Sequence, residues 1–191
     1  MDAERTRVSE AFEAIPRVNF LPPSVRSHAG VDAPLPIGHG VTNSQPWTVR
    51  FMLRRLAVPP GARVLDVGSG SGWTTALLAH LTGPTGSVVG VEVIPALVEF
   101  GRRNLAGFRL PWARIEPAAP GVLGLPDAGP FDRILVSADA GSIPVELERQ
   151  LAVGGRMVLP ADGVMWTVTR DDAGWHHHPD PDHRFAFVPL V

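Results

Sequence analysis

The segment Asp66-Val67-Gly68-Ser69-Gly70-Ser71-Gly72 is the part of this chain best equipped for chemistry. Glycines at every second position let a backbone turn tightly and leave bare N–H groups open to a ligand. An acid, Glu92, follows 20 residues after Gly72. Ser44 lies upstream, two residues before Pro46, where a helix N-cap would stand. His39 sits in a glycine-flanked turn, and a third group, His176-His177-His178 with Asp180, Asp182 and His183, lies near the C-terminus. Other reagents are missing: there are no Cys and no Tyr, and all 17 basic residues are Arg. Thiol nucleophiles, disulfides, Cys–zinc sites, Schiff bases and a P-loop lysine are therefore excluded, which leaves His, Asp and Glu for acid–base work.

The elements that must position these groups follow from the punctuation. The 191 residues suit one domain with a short appendage, and a hydrophobic share of 45% supports a real core. Val8, Ala11, Phe12 and Ile15 recur at helical spacing over residues 5–14 before Pro16. Residues 20–42 read as a structured Pro- and Gly-rich loop, and 44–56 as a helix capped by Ser44. From residue 63 strands alternate with helices: strands at 63–67, 87–93, 131–137 and 156–159, helices at 73–81, 95–105 and 144–151. That alternation predicts an α/β doubly wound, mostly parallel sheet. Residues 164–169 and 184–191 read as two antiparallel edge strands joined by a polar, His-rich loop. Adjacent histidines in a loop seldom aim at one point, so no metal site is expected. A net charge of -2 argues against a nucleic-acid or anionic-membrane partner. The charged N-terminus and the lack of a long apolar run predict a soluble, cytoplasmic protein.

The glycine loop follows a strand and opens a helix, as dinucleotide sites do, but Trp73 occupies the place where that fingerprint needs Gly or Ala. Asp66, two residues before the first glycine, suits an ammonium or hydroxyl group better than a pyrophosphate. With Glu92 placed to accept from a ribose, the pattern fits S-adenosylmethionine better than a nicotinamide cofactor.

Here the sequence resembles the protein-L-isoaspartate O-methyltransferase family. Four blocks carry the likeness in order: residues 34–47 (PLPIGHGVTNSQPW), 64–72 with the helix after it, 131–138 (FDRILVSA), and 154–160 (GGRMVLP) with the terminal Phe187-Val188-Pro189-Leu190-Val191. The resemblance implies a seven-stranded sheet with an N-terminal helical segment, residues 1–58, closing over a methyltransferase unit, residues 59–191. It implies methyl transfer to the free carboxylate of an isoaspartyl residue in a protein or peptide, giving an ester that cyclises to a succinimide. By that pattern Ser44 is the active-site serine, and Thr42, Asn43, Ser44 and Gln45 flank the cofactor. Asp66, Gly68, Gly70 and Gly72 form its methionine side, and Glu92 takes its ribose.

Departures from the family pattern mark the adenine and acceptor sides. Pro120 stands where the family carries an acid that contacts adenine, and it has neither carboxylate nor N–H; Glu116 and Asp127 are candidates to compensate. Ala138 and Asp139 fall where the acceptor enters, so Asp139 is expected to repel acidic substrates. His39 is a candidate substrate contact, and Asn43 replaces an apolar residue. Two readings stand beside repair: a tailoring enzyme that converts an ordinary aspartate of a ribosomal peptide into aspartimide, and a non-catalytic peptide-binding module. A nucleic-acid methyltransferase is disfavoured by the missing basic stripe.

Overall fold

In the computed structural model, residues 3–190 are described; Met1, Asp2 and Val191, the last of the terminal block, lie outside them. Seven strands form one sheet. They are β3 (Arg63–Val67), β4 (Ser87–Glu92), β5 (Ala113–Pro117), β6 (Phe131–Val136), β7 (Leu151–Ala161), β8 (Val164–Asp171) and β9 (Gly174–Pro179). Their order across the sheet is β5-β4-β3-β6-β7-β8-β9. The first five run parallel, while β8 and β9 join antiparallel. A second, two-stranded sheet pairs β1 (Leu35–Gly38) with β2 (Val41–Asn43). The α/β doubly wound architecture is the one the alternating pattern implies.

Why these segments form strands is plain from burial. In β3 every residue after Arg63 is buried, as a central parallel strand covered on both faces requires. Helices α3 (Trp73–Thr82) and α4 (Pro95–Ala106) cross back between parallel neighbours. Helix α1 (Ala3–Ala14) buries Val8 and Ala11, and Ile15 just beyond it is buried too. Phe12 meets Trp73 edge-on at 5.2 Å, and the indole N–H of Trp73 donates to the Ile15 carbonyl. Helix α2 (Pro46–Leu56) contributes Val49, Met52, Leu53 and Leu56 to the same cluster as Val64 and Leu77. The core is thus continuous across residues 58 and 59.

Four local expectations need correction. Ser44 does not cap α2: the N-cap residue is Gln45, whose side chain makes no cap bond, and Asp32 accepts from the Trp47 N–H at 2.8 Å instead. Residues 20–42 are not only loop, since they hold the short 3-10 helix Pro23–His28 and most of the β1–β2 hairpin. The helix expected at 144–151 is the single turn α5 (Val145–Glu148), because Leu151 already pairs with Phe131 as β7 begins. In the tail the His-rich stretch is strand β9 rather than a loop, and 184–190 forms no strand beyond an isolated bridge at Pro189. Asp171 accepts from the Ala173 and Gly174 N–H groups, closing a tight hairpin that returns the chain at once. An outermost strand with exposed faces tolerates polar residues, which disguised it.

Candidate active site

The sheet order reverses between β3 and β6, so a crevice opens at their carboxyl ends, where doubly wound sheets bind ligands. Gly68 follows β3 there and Ser137 follows β6. The loop 68–72 is pinned from several directions. Gly68 and Ser69 donate to the Val91 carbonyl, Asn104 donates to the Ser71 carbonyl, and the Gly70 N–H donates to Glu92 Oε2 at 2.9 Å. Gly72 has φ +84° and lies so close to Gly101 that a Cβ would meet its carbonyl oxygen at 3.1 Å. Only glycine satisfies both demands.

Three neighbouring spaces share walls here, and two of them border this loop. A groove is lined by Gly68, Gly70 and Glu92 at one end and by Ala118, Val122, Leu123 and Gly124 at the other. A small cavity lies between residues 42–44, the glycine loop and Trp73. An outer cleft runs past Ser44, Gln45, Trp47 and residues 184–188. Thr42 and Ser137 line all three.

Electrostatics differ sharply among these groups. Asp66 is fully buried beneath the loop, where Oδ2 accepts from the Thr74 and Thr75 hydroxyls, both at 2.7 Å. Burial pushes its carboxyl up to about 6, with the Thr75 and Thr74 hydrogen bonds opposing and Glu92 adding to the rise. Its Oδ1 has no partner, and neither have the buried hydroxyls of Ser69 and Ser137. Asp66 therefore ties β3 to the start of α3 and does not line the groove. Glu92, 7% exposed, accepts from the Gly70 N–H and the Ile94 N–H at 2.9 Å, one per oxygen. Each carboxylate oxygen retains a second acceptor site, enough for two ribose hydroxyls.

The serine loop is held by Arg17, which is 6% exposed. Its guanidinium donates to Asn43 Oδ1 at 2.6 Å and to the carbonyls of Val31, Ala33, Asn43 and Ser44. Burial lowers Arg17 to about 10, and Asp32 offsets part of that, so it stays charged at neutral pH. Asn43 then passes its own amide N–H to Ser71 Oγ at 3.0 Å, linking the serine loop to the glycine loop.

The predicted residues sort as follows. Thr42, Asn43, Ser44, Gly68, Gly70 and Glu92 come together at the junction, with Gly72 supporting them from behind. Gln45 lines the outer cleft, but its side chain turns to Asp32. Ala138 lines the groove rather than the cleft. Asp139 is corrected outright: Oδ1 accepts from the Gly141 and Asp162 N–H groups and Oδ2 from Gly163, so it clasps the β7–β8 turn instead of facing a substrate. His39 lies exposed at the β1–β2 hairpin tip with φ +55° and lines none of the three spaces. Pro120 is exposed in the turn after β5, beside the groove but not on its wall. Neither suggested compensator reaches the groove, and Glu116 instead accepts from Arg114.

Three participants escaped the sequence reading. Arg17 carried one faint signal, a cation set between the apolar Ile15 and Phe20. Ser137 lay inside a quoted block without being singled out. Arg184, in the outer cleft, carried none. Among the described residues, no group of three or more His, Asp or Glu side chains comes together to hold a metal ion. No helix among them is long and apolar enough to cross a membrane.

Comparison with known proteins agrees with this geometry. The family model for protein-L-isoaspartate(D-aspartate) O-methyltransferase matches residues 3–191. A protein-L-isoaspartate O-methyltransferase of Aeropyrum pernix is 44% identical over 191 residues, 97% of this chain and 72% of its own. One from Anaeromyxobacter dehalogenans is 46% identical over 97% of this chain and 89% of its own. The solved structure of a Plasmodium falciparum protein described as a protein-L-isoaspartate O-methyltransferase, in complex with S-adenosyl-L-homocysteine, superposes with a TM-score of 0.85. That match covers 97% of this chain and 90% of the other at 27% identity. With that match spanning the glycine loop, the serine loop and the tail alike, the chain belongs to the protein-L-isoaspartate(D-aspartate) O-methyltransferase family.

Proposed function

We propose that this enzyme uses S-adenosylmethionine to methylate the free carboxylate of isoaspartyl residues in proteins or peptides, yielding an ester that closes to a succinimide. The observation that carries the reading is the meeting of groove, small cavity and cleft at Thr42 and Ser137, with Ser44 between the small cavity and the cleft. A donor held on one side and an acceptor on the other would touch only there.

The residues present fit the cofactor. Glu92 has acceptor capacity for the ribose, and Gly68 and Gly70 offer backbone without side chains at φ +77° and +51°. The unpartnered Ser69 and Ser137 hydroxyls add polar atoms at the loop. The apolar wall of Ala118, Val122 and Leu123 suits adenine faces. Bound there, S-adenosylmethionine supplies an electrophilic methyl group on a sulfonium that leaves as a neutral sulfide.

The protein's task is then placement. An isoaspartyl carboxylate is already ionised at neutral pH, so no general base is required. Arg17 fixes the Ser44 carbonyl and so the peptide that carries its hydroxyl. That hydroxyl makes no hydrogen bond within the described residues and stands at the mouth of α2, whose N-terminal dipole favours an anion. Orientation and water exclusion lower the barrier.

The test is methyl transfer to matched isoaspartyl and aspartyl peptides. Transfer confined to the isoaspartyl member is expected; transfer to the aspartyl member alone would overturn the repair reading in favour of tailoring. Ser44→Ala is expected to lower kcat about 10- to 100-fold through lost orientation, with S-adenosylhomocysteine affinity kept. An unchanged kcat would remove Ser44 from the mechanism.

A further inference from the structure

Among the described residues, the charged side chains on the walls of the groove, the small cavity and the outer cleft are Glu92 and Arg184. Glu92 is committed to the glycine loop. Arg184 is exposed and makes no hydrogen bond or ion pair among the described residues, although both of its neighbours are fixed. On one side His183 is held through its backbone N–H and ring to Asp180, each at 2.9 Å. On the other, Phe185 is buried, donates its N–H to the Gly163 carbonyl at 3.0 Å, and lies nearly parallel to Trp47 at 6.1 Å. A free cation is therefore presented on an anchored backbone, on the wall of the cleft that leads to Ser44. No acid pairs with it among the described residues, Asp182 two residues before it included. Asp32 spends its carboxylate on Trp47 and Gln45, Asp139 on the β7–β8 turn, and Asp180 on Arg55 and His183.

We propose that Arg184 is a specificity-determining residue that binds a carboxylate of the incoming peptide. The proposal rests on the isoaspartyl reading above, and it reverses the expectation that the mouth repels acidic substrates. The carboxylate has two possible sources, the methyl acceptor itself or an acidic side chain beside it. Both use the same chemistry, an Arg fork offered to a carboxylate fork.

The experiment measures kcat and KM for two isoaspartyl peptides, one with a flanking Glu and one with Ala there, using wild type, Arg184→Gln and Arg184→Lys. Arg184→Gln is expected to raise KM about 3- to 10-fold, between an exposed ion pair and a charge-assisted hydrogen bond. The rise should exceed any change in kcat, shrink in high salt, and be only partly recovered by Arg184→Lys, which keeps the charge but not the fork. S-adenosylhomocysteine affinity and melting temperature should stay at wild-type values. A rise confined to the Glu peptide assigns the flanking acid, and an equal rise on both assigns the acceptor. KM within twofold of wild type on both peptides would overturn the proposal while leaving the methyltransferase reading intact. A wild type that binds S-adenosylhomocysteine but methylates neither peptide would overturn the acceptor reading, and the role of Arg184 with it.

Discussion

The groove and the outer cleft share Thr42 and Ser137, yet they are built on opposite plans. The polar end of the groove grows out of the ends of β3 and β4, where loop 68–72 and Glu92 bond to each other and to the sheet, and the hairpin, residues 118–124 and the tail only complete its apolar wall. Its one charged group, Glu92, is buried, and the shape of that end follows from the crossover geometry. The cleft collects residues from the hairpin, the start of α2 and the chain after β9, which are far apart in sequence. Its walls are aromatic and partly exposed, with Trp47 at 41%. A site for an invariant cofactor can be local and rigid, whereas a site for varied peptides is assembled from segments that change independently. Between the two stands Arg17, which reaches from the N-terminal segment to hold the serine loop.

If that division is right, the largest loss should come from the bridge. Arg17→Ala would leave four backbone carbonyls and the Asn43 side chain without their donor. Stranding buried polar partners at this density is expected to cost about 3–5 kcal/mol, read as a fall in urea midpoint. A loss below about 1 kcal/mol would mean that the serine loop holds itself.

The next effect separates the groove from the cleft by pH. Asp66 titrates near 6 in the fold against an ordinary value of 3.8. The folded state therefore binds more protons than the unfolded one between those values. Its contribution to stability is greatest below about pH 4 and is lost as pH rises through about 6, a change on the order of 3 kcal/mol. Denaturation of wild type and Asp66→Asn at pH 4.5 and 7.5 should show the variant gaining on wild type at the higher pH. No cleft residue has such a dependence to offer, so parallel pH curves would count against the buried-acid design.

The smallest expected effect lies in the cleft. Asp32→Ala removes the acceptor for the Trp47 N–H and the hold on Gln45. About 1 kcal/mol of stability should go, as for other lost helix caps, with KM for peptide moving more than S-adenosylhomocysteine affinity. Equal changes in both would show that groove and cleft are not separable.

The same division explains what could be read from residues alone. Four of the five parallel strands, the glycine loop and Glu92 were legible because each is specified by its own neighbours: a buried apolar run, a turn, an acid at a strand end; β5, half exposed at the sheet edge, was not. The seven-strand count and the serine loop came through the family likeness. What escaped depends on partners far along the chain. Ser44 has the composition of an N-cap, but Asp32 reaches the helix first. Asp139 looked like a substrate-facing acid because nothing local shows that the β7–β8 turn will offer it two N–H groups. The His-rich strand hid because solvent on its exposed faces removes the apolar alternation that marks a strand. Arg17 and Arg184 differ only in what surrounds them once folded.

Asn43 uses both ends of its side-chain amide, accepting from Arg17 and donating to Ser71. A single step from Asn to an apolar residue here would orphan two buried groups at once. Such a step becomes tolerable only if the neighbours have already changed. Positions 17, 43 and 71 should therefore drift as a set over evolutionary time, so that what looks like one eccentric letter beside the serine is one inherited trait spread over three places.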